Sequence, residues 1–363
     1  MPKPFARKSL DQVTPYSPGR PIEEVQRELG LSRAIKLASN ENPLGPSPKA
    51  LEAIRRALPS LNRYPDSACF YLVQKLSKHW GLPAEQFLVG NGSDELITLA
   101  ARAFLDPGDE VVIAEPTFLI YRIAAQIAGA KIRVVPSKEF RYDLGSMRRA
   151  VNRSTKIVFI ANPDNPTGTY VTKAEVDAFM GDLPPEVIVF LDEAYAELVD
   201  APDYPDSKVF LGTHPVIITR TFSKAYGLSG IRVGYGIAPL ELIQAMQRVR
   251  EPFNVNSLAQ AAAMAALDDS EHLEATRLLL REQKPVLYRA LKELGLAAVP
   301  SATNFILFHA GPRAKEIVQS LLKRGIIVRD MLAWNLPEYV RVTIGLPEEN
   351  QAFIQTLREE LKR

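Results

Sequence analysis

The strongest constraint on the fold is an alternation, through the middle of the sequence, of short apolar runs with longer amphipathic stretches. The apolar runs cover residues 110–114, 131–135, 156–160, 187–191, 216–219 and 233–237, and the amphipathic stretches include residues 118–128 and 173–180. Most of these apolar runs lack polar alternation, which is typical of strands buried on both faces. Strands separated by helices predict an α/β domain with a mostly parallel central sheet.

The ends of the sequence have different patterns. Residues 257–267, 271–294 and 349–361 have helical periodicity, whereas residues 304–308, 326–328 and 339–344 are strand-like. Pro285 is expected to kink or divide the second helix. The first 40 residues have little periodicity and several prolines, which favours an extended arm. We therefore predict an N-terminal arm (1–40) that contributes to the small domain and to a dimer contact, a large domain (41–270) and a small α+β domain (271–363).

Composition excludes several classes of protein. The 363 residues include one cysteine, Cys69, which excludes an intrachain disulfide and a multi-cysteine zinc site, and the four histidines form no HExxH pattern. The formal charge of +2 is too balanced to indicate binding to nucleic acid or to a membrane surface. No apolar run approaches the roughly 20 residues of a membrane span. The first residues have no signal-peptide pattern, so a cytoplasmic protein is expected.

Residues 219–236 (TRTFSKAYGLSGIRVGYG) link two apolar strands and contain the most informative lysine. Lys224 follows a strand end, where open α/β sheets bind ligands, and could form a Schiff base with a carbonyl cofactor if its pKa is lowered. Ser223 and Arg232 could hold a phosphate. The alternative is that Lys224 and Arg232 are solvated surface charges, but the flanking glycines and buried strands favour a site.

Polar residues also follow two other predicted strands. Residues 162–168 (NPDNPTG) form a tight turn, in which Asn165 either has a turn role only or presents its amide to a ligand oxygen. Asp192 ends a buried strand and could pair with a protonated ring nitrogen, while Tyr195 could donate to a phenolic oxygen. The alternative for Asp192 is a helix N-cap.

Residues 90–95 (GNGSDE) precede a helical pattern and, by themselves, only weakly indicate a phosphate-binding site. Ser93 or Asp94 is expected as the N-cap, and free backbone N–H groups there could bind an anion. Taken alone, capping is the simpler interpretation. Taken together, the lysine, the acid, the donors for a phenolic oxygen and a phosphate cup are the groups that pyridoxal phosphate (PLP) requires.

The sequence resembles the fold-type I PLP-dependent aminotransferases and, within them, the histidinol-phosphate aminotransferase group. The resemblance extends from about residue 14 to the C-terminus. It rests on residues 39–46 (SNENPLGP), 63–65 (RYP), 90–95 (GNGSDE), 162–168 (NPDNPTG), 192–195 (DEAY), 221–224 (TFSK) and 341–345 (RVTIG). It implies an α/β fold in which helices sandwich a mostly parallel sheet, with the large domain binding PLP.

The resemblance also implies roles for individual residues. Lys224 would hold PLP and move a proton, Asp192 would keep the pyridine nitrogen protonated, and Tyr195 and Asn165 would bind the ring hydroxyl oxygen. The remaining cofactor contacts would be Gly92, Ser93, Asp94, Thr221, Ser223 and Arg232 around the phosphate, Phe118 stacked on the ring, and Tyr64 from the neighbouring subunit of a homodimer. Many relatives have Tyr at position 118, so Phe118 keeps the stacking and loses a hydroxyl.

The expected substrates are L-histidinol phosphate and 2-oxoglutarate. Arg341 would bind a substrate carboxylate or phosphate, with help from Arg329, Asn165 and Tyr16, because both anions accept the arginine fork. An exposed strand-end charge remains the alternative for Arg329. Three other functions remain open at this point, namely an aromatic amino-acid aminotransferase, a PLP-dependent decarboxylase of a phosphorylated amino acid, and a PLP-binding regulatory module.

Overall fold

The computed structural model describes residues 5–362, so the first four residues of the predicted arm lie outside the described part. Its helices are α1 (Ile22–Leu29), α2 (Pro48–Ala57), α3 (Phe70–Trp80), α4 (Ser93–Phe104), α5 (Leu119–Ala128), α6 (Leu144–Ala150), α7 (Lys173–Gly181), α8 (Leu240–Val249), α9 (Ser257–Ala266), α10 (Ser270–Glu293), α11 (Ala314–Lys323) and α12 (Pro347–Leu361). Its strands are β1 (Ile35–Lys36), β2 (Phe87–Gly90), β3 (Glu110–Glu115), β4 (Lys131–Pro136), β5 (Thr155–Ala161), β6 (Ile188–Asp192), β7 (Val216–Thr221), β8 (Gly234–Ile237), β9 (Phe305–His309), β10 (Ile326–Ile327), β11 (Arg329–Asp330) and β12 (Tyr339–Thr343).

The central sheet has seven strands in the order β2-β8-β7-β6-β5-β3-β4. Only β8 runs antiparallel to its neighbours, so the predicted mostly parallel α/β sheet is confirmed. Strands β5 and β6 are buried along nearly their whole length, in agreement with their continuous apolar runs. The first strand of this sheet, β2, was not predicted from the sequence.

A smaller three-stranded sheet has the order β11-β12-β9, and a two-stranded parallel sheet joins β1 to β10. Strand β1 thus connects the N-terminal part of the chain to the C-terminal part, with Ile35 opposite Ile326. Helix α1 buries Val25 against Ala38 and Ile327. This helix lies within a region where the sequence indicated an irregular arm. The domain boundaries at residues 40 and 270 stay predictions.

Helix α10 is continuous over 24 residues with Pro285 inside it. Of the two effects predicted for this proline, a division of the helix is therefore wrong, and a kink stays a prediction. A proline removes one backbone hydrogen bond from the preceding turn. Pro285 lies on the exposed side of the helix, where water can satisfy the freed carbonyl, while Leu287 and Leu291 are buried on the other side. Packing of that apolar side keeps the helix continuous.

The fold places the loops that follow β3, β5, β6 and β7 at one edge of the central sheet, because parallel strands end at the same edge. Strands β11 and β12 of the small sheet also reach this edge, where their residues line the same cleft as the loops. No helix of residues 5–362 is long and apolar enough to cross a membrane.

Candidate active site

A cleft of about 1000 Å³, measured with its open mouth, lies at the carboxyl edge of the central sheet. Thirteen of the fifteen candidate residues line it, namely Tyr16, Ser93, Asp94, Phe118, Asn165, Asp192, Tyr195, Thr221, Ser223, Lys224, Arg232, Arg329 and Arg341. Residues more than 300 positions apart in the sequence therefore share one cleft. Gly92 adjoins it at the start of α4, and Tyr64 lies outside it.

Lys224 lies just beyond the end of β7. Its Nζ donates to the backbone carbonyl of Ser39 at 3.2 Å and lies 5.8 Å from the centre of the Tyr195 ring. Burial lowers the pKa of Lys224 to about 8, and the positive charge of Arg341 adds to this effect. A lysine with such a pKa is partly neutral near physiological pH and can act as a nucleophile.

Asp192 is the last residue of β6 and is 5% exposed. Its carboxylate accepts hydrogen bonds from the hydroxyl of Tyr121 at 2.7 Å, from the backbone N–H of Ala194 at 3.2 Å and from the hydroxyl of Thr219 at 3.3 Å. Burial raises the pKa of Asp192 to about 6, and the hydrogen bond from Tyr121 opposes that rise. A buried carboxylate held by neutral donors is suited to pair with a cation brought by a ligand.

Tyr195 and Asn165 are held by different partners on the two sides of the cleft. The hydroxyl of Tyr195 accepts a hydrogen bond from the side-chain amide of Asn40 at 2.8 Å, and burial raises the pKa of this tyrosine. The amide oxygen of Asn165 accepts a hydrogen bond from Arg341. Asn165 is thereby oriented by a contact across the cleft as well as by its turn.

Helix α4 begins at the cleft without a side-chain cap. Its N-cap is Gly92, so the prediction that Ser93 or Asp94 takes this position is wrong, and these two residues open the helix instead. Gly92 has φ 79° and ψ 165°, a conformation that favours glycine. A Cβ at this position would also clash with the guanidinium of Arg232. The bare helix start leaves backbone N–H groups free to bind an anion.

Arg232 and Ser223 lie beside this helix start. Arg232 Nη1 is 3.2 Å from the carbonyl of Ser229 and 3.4 Å from the hydroxyl of Ser223, and Nη2 is 3.6 Å from Asp94. Thr221 accepts from the backbone N–H of Ser223 at 3.1 Å, which fixes the loop that precedes Lys224. These hydroxyl and guanidinium groups, with the start of α4, form a cup suited to a phosphate.

Arg329 and Arg341 lie on adjacent strands at directly paired positions of the small sheet. Arg329 Nη2 donates to the carbonyl of Ser17 at 2.5 Å, and Arg341 Nη2 donates to the carbonyl of Ala38 at 3.0 Å. Both residues are buried, so the interpretation of Arg329 as an exposed strand-end charge is wrong. Neither forms an ion pair with a carboxylate within the described part of the chain, and burial lowers the pKa of Arg341.

Three aromatic candidates occupy different positions. Tyr16 lies 5.9 Å from the guanidinium of Arg329, and Phe118 lines the cleft beside Tyr121. Tyr64 is 82% exposed and stacks on Phe253, with ring centres 4.7 Å apart. Within one protomer, Tyr64 does not join the other candidates.

Three further residues that hold the candidates were not identified from the sequence. Asn40 bonds to Tyr195, Tyr121 bonds to Asp192, and the ring of Trp334 faces both Arg329 and Arg341. Asn40 lies in the sequence SNENPLGP, which carried the resemblance but no assigned role. Its φ of 56° belongs to a conformation in which asparagine is enriched. The available signal for Tyr121 was a tyrosine within a mostly apolar helical stretch, because a tyrosine hydroxyl that becomes buried needs a partner.

Comparisons with known proteins extend over nearly the whole chain. A family model described as aminotransferase class I and II matches residues 32–357. The histidinol-phosphate aminotransferase of Moorella thermoacetica is 47% identical over 360 residues, which cover 99% of this chain and 93% of that protein. The histidinol-phosphate aminotransferase of Symbiobacterium thermophilum is 46% identical over 356 residues, 98% of each chain. The crystal structure of the Sinorhizobium meliloti histidinol-phosphate aminotransferase in complex with pyridoxal-5'-phosphate matches with a TM-score of 0.91, 32% identity and 99% coverage of both chains.

Proposed function

The chain belongs to the class I and II aminotransferases, and we propose that it transfers the amino group of L-histidinol phosphate to 2-oxoglutarate with PLP as its cofactor. The products are imidazole acetol phosphate and L-glutamate, and the reaction is a step of histidine biosynthesis. The expected fold type I is confirmed by the close match to the Sinorhizobium meliloti structure.

The residues of the cleft fit PLP chemically. Asp192 is a buried carboxylate that has no cationic partner among residues 5–362, so it is free to pair with a protonated pyridine nitrogen. Lys224 is a buried amine with a lowered pKa, so it can lose its proton and react with the aldehyde group of PLP. The bare start of α4 beside Ser223 and Arg232 offers the donors that a phosphate requires.

We therefore assign the cofactor contacts as the sequence resemblance implied. Lys224 would hold the aldehyde carbon, Asp192 the ring nitrogen, and Tyr195 and Asn165 the ring hydroxyl oxygen. Phe118 would support the ring, and the phosphate contacts would be Gly92, Ser93, Asp94, Thr221, Ser223 and Arg232. When bound, PLP supplies an electron sink that stabilises negative charge at the substrate α-carbon. Once its nitrogen is free and neutral, Lys224 is the base that removes the α-proton.

The observation that carries the substrate assignment is the pair of buried arginines, Arg329 and Arg341, in the same cleft as Lys224. Two guanidinium groups that have no carboxylate partner in the described part of the chain leave two positive charges for a substrate anion. A phosphate dianion uses both charges, whereas a single carboxylate needs one. We expect the phosphate of histidinol phosphate and the carboxylate of glutamate to occupy this position in turn, assisted by Tyr16 from the N-terminal arm.

We further propose that the active unit is a homodimer in which Tyr64 reaches the phosphate cup of the neighbouring subunit. The high exposure of Tyr64 and its position outside the cleft of its own protomer support this assignment. Mixing inactive Lys224→Ala protein with Tyr64→Ala protein tests it, since hybrid dimers would regain one intact site. The cytoplasmic location stays a prediction.

Single-turnover spectroscopy tests the proposed function. The PLP form is mixed with L-histidinol phosphate and, in a separate experiment, with phenylalanine, and the visible absorption of the cofactor is followed. A fast change with histidinol phosphate and a slow one with phenylalanine is the expected result. A comparable or faster change with phenylalanine would instead indicate an aromatic aminotransferase. Carbon dioxide release from a phosphorylated amino acid would indicate a decarboxylase.

A further inference from the structure

We propose that Trp334 is a positioning residue of the substrate-anion site, and that its ring, which faces both Arg329 and Arg341, helps to hold them in place without a competing negative charge. The guanidinium carbons lie 5.3 Å and 5.7 Å from the centre of the Trp334 ring. This proposal deepens the proposed function and rests on it.

The two arginines need such a partner because they are close, buried and alike in charge. The charge of Arg329 contributes to the lowered pKa of Arg341. A carboxylate between them would neutralise this repulsion, but it would also occupy the charge that the substrate must meet. An aromatic face attracts cations without carrying a net charge, so it stabilises the arginines and leaves both charges available.

The ring itself is fixed by a hydrogen bond. The indole N–H of Trp334 donates to the backbone carbonyl of Thr117 at 2.9 Å, and Trp334 is 3% exposed. The hydroxyl of Thr117 in turn donates to Asp164 at 3.1 Å. The next residue, Asn165, accepts a hydrogen bond from Arg341, whose guanidinium lies near the Trp334 ring. These contacts therefore form a closed chain that begins and ends at Trp334.

Trp334 and the two arginines border different cavities. Trp334 lines a second cavity, whereas Arg329 and Arg341 line the cleft itself. Tyr16 and Phe118 border both cavities. The indole therefore contacts the arginines from outside the lining of the cleft, where it does not take up the space of a bound anion.

The experiment compares Trp334→Leu with Trp80→Leu in the PLP-loaded enzyme. Trp80 makes the same kinds of contact elsewhere, since its ring lies 5.0 Å from Arg220 and its N–H donates to Tyr235. We expect Trp334→Leu to raise KM for histidinol phosphate, and Ki for inorganic phosphate, by about tenfold with little change in kcat. Trp334→Phe, which keeps a ring, should restore most of the loss, and Trp80→Leu should leave both constants unchanged.

A binding measurement separates this proposal from the proposed function. The chain has two tryptophans, so Trp334 is the only one in a Trp80→Phe variant. Inorganic phosphate should change its fluorescence saturably, and Arg329→Ala should abolish the change. This titration shows whether an anion binds at Arg329 beside Trp334 even if the enzyme does not accept histidinol phosphate, or if Trp334→Leu fails to fold. Absence of a fluorescence change, or equal effects of Trp334→Leu and Trp80→Leu on KM, would overturn the proposal.

Discussion

The hydroxyl of Tyr121 donates a hydrogen bond of 2.7 Å to Asp192, the buried carboxylate at the end of β6. This bond joins a helix to a strand 71 residues further along the chain. It opposes the effect of burial, which raises the pKa of Asp192. Tyr121 thus helps to keep this carboxylate ionised in a site that would otherwise favour its neutral form.

Tyr121→Phe should weaken PLP binding more at pH 6 than at pH 8.5. Loss of a hydrogen bond to a charged group costs about 1.5–3 kcal/mol, which corresponds to a rise of about one to two units in the pKa of Asp192. At pH 6 the variant would hold Asp192 mostly protonated, whereas at pH 8.5 the carboxylate stays ionised. The measurement is the dissociation constant of PLP at both pH values. Tyr235→Phe, which removes a buried hydroxyl outside the cleft, is the control, and a pH-independent loss in Tyr121→Phe would contradict the prediction.

Lys224→Ala should abolish both turnover and the visible absorption of the bound cofactor, because no other lysine of residues 5–362 lines the cleft. Lys284→Ala is a matched control, since burial also lowers the pKa of Lys284 to about 8, but this lysine lies outside the cleft. In the unsubstituted protein, the rate of PLP attachment to cofactor-free enzyme should rise with pH through about 8 as Lys224 loses its proton. An unchanged spectrum in Lys224→Ala would refute the assignment.

Arg329→Ala should reduce kcat/KM for histidinol phosphate more than for phenylalanine. A charge-assisted hydrogen bond is worth about 1.5–3 kcal/mol, so the loss for the phosphate substrate should be roughly 10- to 100-fold. Arg102→Ala, which removes an exposed ion pair with Glu251, should change neither value. Equal losses for both amines would count against a phosphate role for Arg329.

The contribution of Asp164 to the stability of the folded enzyme should fall as the pH rises from about 4 to about 6. Burial raises its folded-state pKa from 3.8 to about 6, so the folded protein binds a proton that the unfolded chain has already released in this range. Asp164→Asn should therefore flatten the fall in Tm over this range. Asp143→Asn is a control in which the effect of pH on stability has the opposite sign. Asp143 accepts hydrogen bonds from the hydroxyl and the backbone N–H of Ser146, and these bonds lower its pKa. A Tm profile unchanged by Asp164→Asn would exclude this contribution.

Short, mostly apolar runs were sufficient to predict six of the seven central strands. Strands such as β5 and β6 are buried on both faces and have few other compositions open to them, whereas the edge strand β4 alternates between exposed and less exposed residues. Position after a strand end was also sufficient to propose Lys224, Asp192 and Asn165, because parallel strands deliver such residues to one edge. Helix α1 was not predicted, since it buries only Val25. The N-cap of α4 was misassigned because Gly92 is selected by the approach of Arg232, which a local pattern does not contain.

Sequence alone thus determined the kind of sheet, the order of its strands along the chain and the chemical groups available at its edge. Tertiary structure decided how those groups are held: Asn40 on Tyr195, Tyr121 on Asp192, and Trp334 between two arginines. The physical reason is that strand and helix periodicity is a local property of the chain. The pKa of a buried group and the direction of its hydrogen bonds depend instead on neighbours that only folding brings within contact.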